Sequence, residues 1–242
     1  MARGGQITLA DGDPDQISPN GIASITKMMT AWVVMKHLST SQLDDNVTMI
    51  SQDFHSYSGS RFRSGDILSY RELLLASATR SDNTAPFTLA RAVGNIISSG
   101  GGVSRFVQEM NDEASNLMYS GASFTTPWNL GRMSPRQVAD LLRRVLDDST
   151  LAGIFGTKST RISVGGPNSR SVLLEHTIHR FSVEPVQGWV AGKTGTWQGN
   201  GHLAIAWDHP SGDEHITVIL DAISDGAPRY NRLQYVRDLT AQ

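Results

Sequence analysis

At Gly188 the apolar pattern of this chain changes period. Upstream, hydrophobic residues recur at helical spacing through SITKMMTAWVVMKHL (Ser24 to Leu38), SYRELLLASA (Ser69 to Ala78), NTAPFTLARAV (Asn83 to Val93), Val103 to Met118 and Ser134 to Asp147, as expected of helices that bury one face. Ser134-Pro135 supplies an N-cap and a first-turn proline for the last of these. Downstream, GWVAGKTGTW, HLAIAWD and HITVILDAI are short apolar or alternating runs broken by Gly, Asn, Asp and Pro, which predicts antiparallel strands in hairpins. Gln6 to Ala10 reads as a further strand ended by the turn Asp11-Gly12-Asp13-Pro14, and Pro228 to Leu239 as a terminal helix. A first strand, a helical middle and a final sheet imply that the amino-terminal strand pairs with the carboxy-terminal ones. The expected fold is α/β in the α+β sense: an antiparallel sheet flanked by helices plus a mainly helical subdomain. It forms one domain over 1–242, with the sheet part from about 1–23 and 185–242 and the helical part from about 40–160.

At 242 residues the chain can bury a sizeable core without staples. A formal net charge of -2 gives no electrostatic case for nucleic acid. The absence of cysteine removes thiol catalysis, thiolate metal sites and disulfides, and leaves the compartment open. No run approaches the roughly 18 apolar residues of a membrane span, and MARGGQITLADGDP lacks the apolar centre of a signal peptide. The expectation is a cytoplasmic protein, or a sequence that starts after its signal.

Three short motifs carry the chemistry. Only four lysines occur, Lys27, Lys36, Lys158 and Lys193, and only Lys27 has a serine three positions before it, in Ser24-Ile25-Thr26-Lys27. On a helix that spacing puts both side chains on one face. Ser81-Asp82-Asn83 sits in a polar break between two apolar helices, where its ordinary meaning is a helix cap. Lys193-Thr194-Gly195, followed by Thr196, falls on a strand expected near the sheet edge. A glycine there admits another backbone, and a lysine with hydroxyls offers donors to a carboxylate. Each motif alone is weak. Their order, with Ser24 before Ser81 before Lys193, is the stronger signal.

Ser-x-x-Lys, Ser-x-Asn and Lys-Thr-Gly in this order resemble the set of penicillin-binding proteins and serine β-lactamases. The chain is most similar to the low-molecular-mass penicillin-binding proteins that act as D-alanyl-D-alanine carboxypeptidases or endopeptidases. The similarity runs through ASITKMMTAWVV, FRSGDILSYRELLLASATRSDNTA, Phe124 to Pro127 and Ser171 to Gly195, or about Ser18 to Ala204. The resemblance implies a serine-type D,D-peptidase acting on peptidoglycan stem peptides that end in D-Ala, acylated by β-lactam antibiotics, and placed outside the cytoplasmic membrane. It implies no cofactor and no metal, and leaves the oligomeric state open. Ser24 is then the nucleophile, Lys27 its base and Ser81 a proton relay; Asn83, Lys193, Thr194, Gly195 and Thr196 bind substrate. The backbone N–H groups of Ser24 and Thr196 form the oxyanion hole by the same resemblance. With no Gly-x-Ser-x-Gly elbow there is no sign of a Ser-His-Asp arrangement. For Lys27 to act at neutral pH its pKa must fall, through burial or neighbouring positive charge, and Lys193 is a candidate for that charge.

One departure bears on the function. The carboxypeptidases more often carry Gly where this chain has Asp82, the residue usual in class A β-lactamases, which makes a β-lactamase the alternative, with a broad-specificity serine esterase or amidase of the same fold. Class A enzymes need a second carboxylate to activate the deacylating water. Here SFTTPWNLGRMSP, the segment expected to hold it, has no acid, and Glu109 and Glu113 lie inside a helix. His176 and His179 have no third ligand at a recognised spacing, which argues against zinc. Trp197 either lines the cleft or packs in the hairpin, and Arg136, Arg143 and Arg144 read as a solvated helix face.

Overall fold

The computed structural model describes residues 12–55, 59–180 and 186–223. The strand expected at Gln6 to Ala10 and the helix expected from Pro228 lie outside them. The helical middle comprises α1 (Thr26–His37), α2 (Tyr70–Thr79), α3 (Thr84–Ile97), α4 (Gly102–Asn116), α5 (Pro135–Asp147) and α6 (Ser149–Phe155). Two of these begin at the caps their sequences specify: Ser69 and Ser134 each accept from the backbone three residues on, while Glu72 and Gln137 reach back. The final sheet is antiparallel, with strands β5 (Trp189–Trp197), β6 (Asn200–Asp208) and β7 (Glu214–Ile223) in that order. The third motif therefore lies on β5, an edge strand of the sheet among the described residues.

One continuous core, including Met28, Met29 and Val33 of α1, Leu73 and Leu74 of α2 and Leu141 of α5, joins the helices and reaches Ala191, Ala204 and Ala206 of the sheet. Helix α1 carries buried residues almost all round, including Thr26, Lys27 and Thr30. It is the central helix on which the others pack, so a polar group on it is buried wherever it points.

Three features go beyond the sequence reading, which assigns no element to 40–68 or to 148–175. Short strands β1 (Asn46–Thr48) and β2 (Ile67–Ser69) pair across 18 intervening residues. They are too short to show a period. Helix α6 follows α5 directly, its first N–H groups held by the Asp148 carboxylate at 2.9 and 3.0 Å. Strands β3 (Ser159–Val164) and β4 (Arg170–Glu175) form a hairpin, with Ile162, Val164, Val172 and Leu174 facing in and Gly165-Gly166-Pro167-Asn168 in the turn. That alternation is a strand signal. Arg170 ties the hairpin to the loop before β2 through Asp66, which is fully buried, at 2.7 and 3.0 Å.

Candidate active site

The nucleophile candidate lies at the entry to α1. Ala23 adopts a left-handed φ of +48°, and a single turn of 3-10 helix (Ala23–Ile25) delivers the chain into α1 with Ser24 at the bend. The bend is held from outside: Ile22 N–H donates to Gly131 O at 2.8 Å, and Gly131 N–H donates to Thr26 Oγ1 at 3.1 Å. The acid-free loop identified in the sequence is thus strapped to the start of α1. A Cβ at 131 would stand 2.6 Å from Thr26 Oγ1 and 2.9 Å from the Phe124 ring, so any larger residue there displaces one of these side chains.

Three of the motif residues converge on Lys27. Its Nζ lies 2.8 Å from Ser24 Oγ, 3.0 Å from Ser81 Oγ, 2.9 Å from Ser81 O and 2.7 Å from Asn83 Oδ1. Ser81 reaches this position through a left-handed φ of +59° in the turn between α2 and α3. Residues other than glycine rarely adopt that conformation, and here it brings Ser81 to the Lys27 amine. The Trp128 ring stands 5.9 Å from Nζ, so the amine is enclosed by protein and 0% exposed. Burial lowers the Lys27 pKa from 10.5 to about 7, against the opposing negative charge of Asp82. Of the two causes the sequence leaves open, burial and the charge of Lys193, burial is the one that lowers it, and the charge of Lys193 acts on His176.

Asp82, whose role the sequence leaves open, is buried and fully engaged by protein donors. Its Oδ1 accepts from Thr84 N–H at 2.8 Å and Ala85 N–H at 3.0 Å, and its Oδ2 from Ser60 Oγ at 2.8 Å. It caps α3, and Ser60 is a partner that no sequence spacing announces. The acids Glu109 and Glu113 pair with His37 and Lys36 on the far part of α1. Arg136, Arg143 and Arg144 stay partly exposed on α5, where Arg136 pairs with Asp15, and Arg143 and Arg144 with Asp140.

The third motif lies against the nucleophile bend. A Cβ on Gly195 would meet Ile22 O at 2.8 Å, Ala23 Cβ at 3.1 Å and His202 Cβ at 3.2 Å, so the close approach of β5 to Ser24 depends on glycine there. Lys193 is fully buried, with Nζ donating to Thr194 O at 3.0 Å. Thr194 pairs through its hydroxyl with Thr177, in the short helix α7 (Thr177–Arg180), at 2.8 Å. Trp197, at the end of β5, meets Trp128 edge to face with centroids 6.0 Å apart, and Trp128 neighbours Phe87 at 6.4 Å. An aromatic wall therefore stands beside Lys27, and only Trp197 of the three drew notice in the sequence. Among the described residues no cluster of three metal-ligating side chains occurs, and no helix is long and apolar enough to cross a membrane.

A family model described as D-alanyl-D-alanine carboxypeptidase matches residues 2–224. The D-alanyl-D-alanine endopeptidase of Haemophilus influenzae is 28% identical over 198 residues, 79% of this chain and 62% of that protein. The one of Pseudomonas aeruginosa is 33% identical over 133 residues, 54% of this chain and 40% of that protein. The chain thus spans between 40% and 62% of the length of these relatives. Among solved structures, the Streptomyces K15 DD-transpeptidase superposes with a TM-score of 0.79 at 22% identity, covering 94% of this chain and 88% of that one. The D-alanyl-D-alanine carboxypeptidase of Mycobacterium tuberculosis H37Rv superposes at 0.74 with 19% identity, covering 94% and 84%. At those identities the two structures establish the shared fold.

Proposed function

We propose, from the premise that this chain belongs to the D-alanyl-D-alanine carboxypeptidase family, that it is a serine-type D,D-peptidase cleaving peptidoglycan stem peptides next to D-Ala through an acyl-enzyme on Ser24. The observation that carries this reading is the buried Lys27 amine, 2.8 Å from Ser24 Oγ and 3.0 Å from Ser81 Oγ, with a pKa of about 7. A neutral amine keeps a lone pair for the serine proton while its two N–H bonds still reach Ser81 and Asn83.

In this mechanism Lys27 takes the Ser24 proton as Oγ attacks the substrate carbonyl. The C–N bond then breaks, and the proton passes from the Lys27 ammonium through Ser81 to the departing amine. Lys193 and Thr194 hold the substrate carboxylate, Asn83 holds a substrate amide, and the N–H groups of Ser24 and Thr196 receive the oxyanion. Water releases the acyl group, and Lys27 is its base, because the loop strapped to α1 carries no acid and Asp82 is committed to α3. The chain is thus one catalytic domain whose sheet part binds the carboxylate and whose helical part carries the base and relay. Peptidoglycan as substrate places the protein outside the cytoplasmic membrane. The absent acid favours the peptidase over a β-lactamase: a penicillin acyl-enzyme persists.

Mass spectrometry after mixing with penicillin is expected to show one stable adduct on the Ser24 peptide and none on Ser24→Ala; an adduct on the alanine variant overturns the assignment. Purified muropeptides then separate loss of a terminal D-alanine from opening of a cross-link. Sustained rapid penicillin turnover defeats the peptidase reading.

A further inference from the structure

His176 and Thr177 brace β5 on either side of Lys193. The His176 ring is fully buried. Its Nδ1 accepts from Ile178 N–H at 3.2 Å, so the proton sits on Nε2, which donates to Gly192 O at 3.1 Å. Burial, reinforced by the charge of Lys193, pushes the His176 pKa down to about 3, so this tautomer is neutral and fixed at working pH. The fit is close, since a Cβ on Gly192 would stand 2.9 Å from Ile178 Cδ1. One residue on, the Thr177 and Thr194 hydroxyl oxygens lie 2.8 Å apart, both buried.

Two hydroxyls at that distance share one hydrogen bond, and its direction decides what Thr194 can do. If Thr194 donates to Thr177, its proton is spent on the protein. If Thr177 donates, the Thr194 oxygen is satisfied and its own proton is free for an incoming anion. A carboxylate arriving at Lys193 favours the second arrangement, because a charge-assisted bond is stronger than a neutral one.

Resting on the acyl-enzyme reading above, we propose that Thr177 is a positioning residue that orients the Thr194 hydroxyl as a donor to the substrate's terminal carboxylate, and so sets selectivity for acyl donors bearing one. His176 holds the backbone on which this alignment depends. Thr177 touches no reacting atom, so its removal weakens recognition of the carboxylate and leaves the chemistry at Ser24 in place.

The test compares a peptide thioester ending in a free carboxylate with its methyl ester, following Ser24 acylation in the wild type, Thr177→Val and Thr177→Ser. Valine keeps the shape of threonine and removes the donor. For Thr177→Val the acylation kcat/KM for the acid is expected to fall about tenfold, with the loss in KM. The methyl ester reacts as in the wild type, which also certifies an intact site. Thr177→Ser restores the acid to within about twofold of wild type. Equal losses for acid and ester, or no loss for the acid, overturn the proposal and leave the acyl-enzyme reading intact. Failure of the wild type to acylate with either compound overturns the acyl-enzyme reading and this proposal together.

Discussion

Lys27 is where the chemistry of single residues can be followed furthest. Its spacing from Ser24 is legible in the sequence, but its protonation is set by packing. A lysine whose pKa is about 7 when folded and 10.5 when exposed binds fewer protons in the folded state between those values. Stability therefore rises with pH from about 7 toward 10.5, and holding the charged lysine inside costs a few kcal/mol below pH 7. Replacement by an uncharged side chain of similar length removes that cost. Lys27→Met is expected to melt higher than the wild type at pH 6, with the difference shrinking as pH approaches 10, as calorimetry across pH would show; a constant difference contradicts it. The base role gives a second expectation for the same group. Acylation of Ser24 by penicillin should rise about tenfold per pH unit below pH 7 and level off above it, and a flat profile from pH 5 to 8 argues against Lys27 as base.

Among elements, the turn from α2 to α3 joins two tasks. Ser81 enters the cleft on a left-handed backbone, and the next residue closes the start of α3. Asp82 pointed toward a β-lactamase when seen as a letter; as a side chain it accepts three hydrogen bonds from Ser60, Thr84 and Ala85. Its capping oxygen and its charge can be separated. Asp82→Asn retains an oxygen for the α3 amides and removes the charge that raises the Lys27 pKa, so the acid limb of the acylation profile should move to lower pH. Asp82→Ala removes both and should lower stability by about 1 kcal/mol or more in urea titration. Unchanged acid limb and stability in both variants would leave Asp82 without a role in the turn. The cap at Ser134 is legible because its partner lies three residues away, and the structure shows the same spacing at Ser69. Ser60 is not legible, because it reaches Asp82 from a loop 22 positions distant.

At the scale of the whole molecule, the site exists because β5 can lie against the bend that carries Ser24. Gly195 makes that approach possible, since a Cβ would meet the Ile22 carbonyl and Ala23 Cβ, neither of which can swing aside. Gly195→Ala is expected to keep the fold, lose about 1 to 3 kcal/mol of stability and lower the acylation rate about 100-fold, since a displacement near 1 Å suffices for such a loss. Full activity in this variant would show that the contact is not needed. The helical middle and the final sheet can be read from the residues alone, because periods of 3.6 and 2 are local consequences of backbone geometry. The order of Ser24, Lys27, Ser81, Asn83 and Lys193 is legible there too, since residue identities need no coordinates. Long-range packing settles which of burial and Lys193 lowers the Lys27 pKa, sets Trp128 over that amine, commits Asp82 to α3 and brings Thr177 to Thr194. Each of these depends on which groups exclude water from which others, and that is fixed by contacts between segments far apart in the chain.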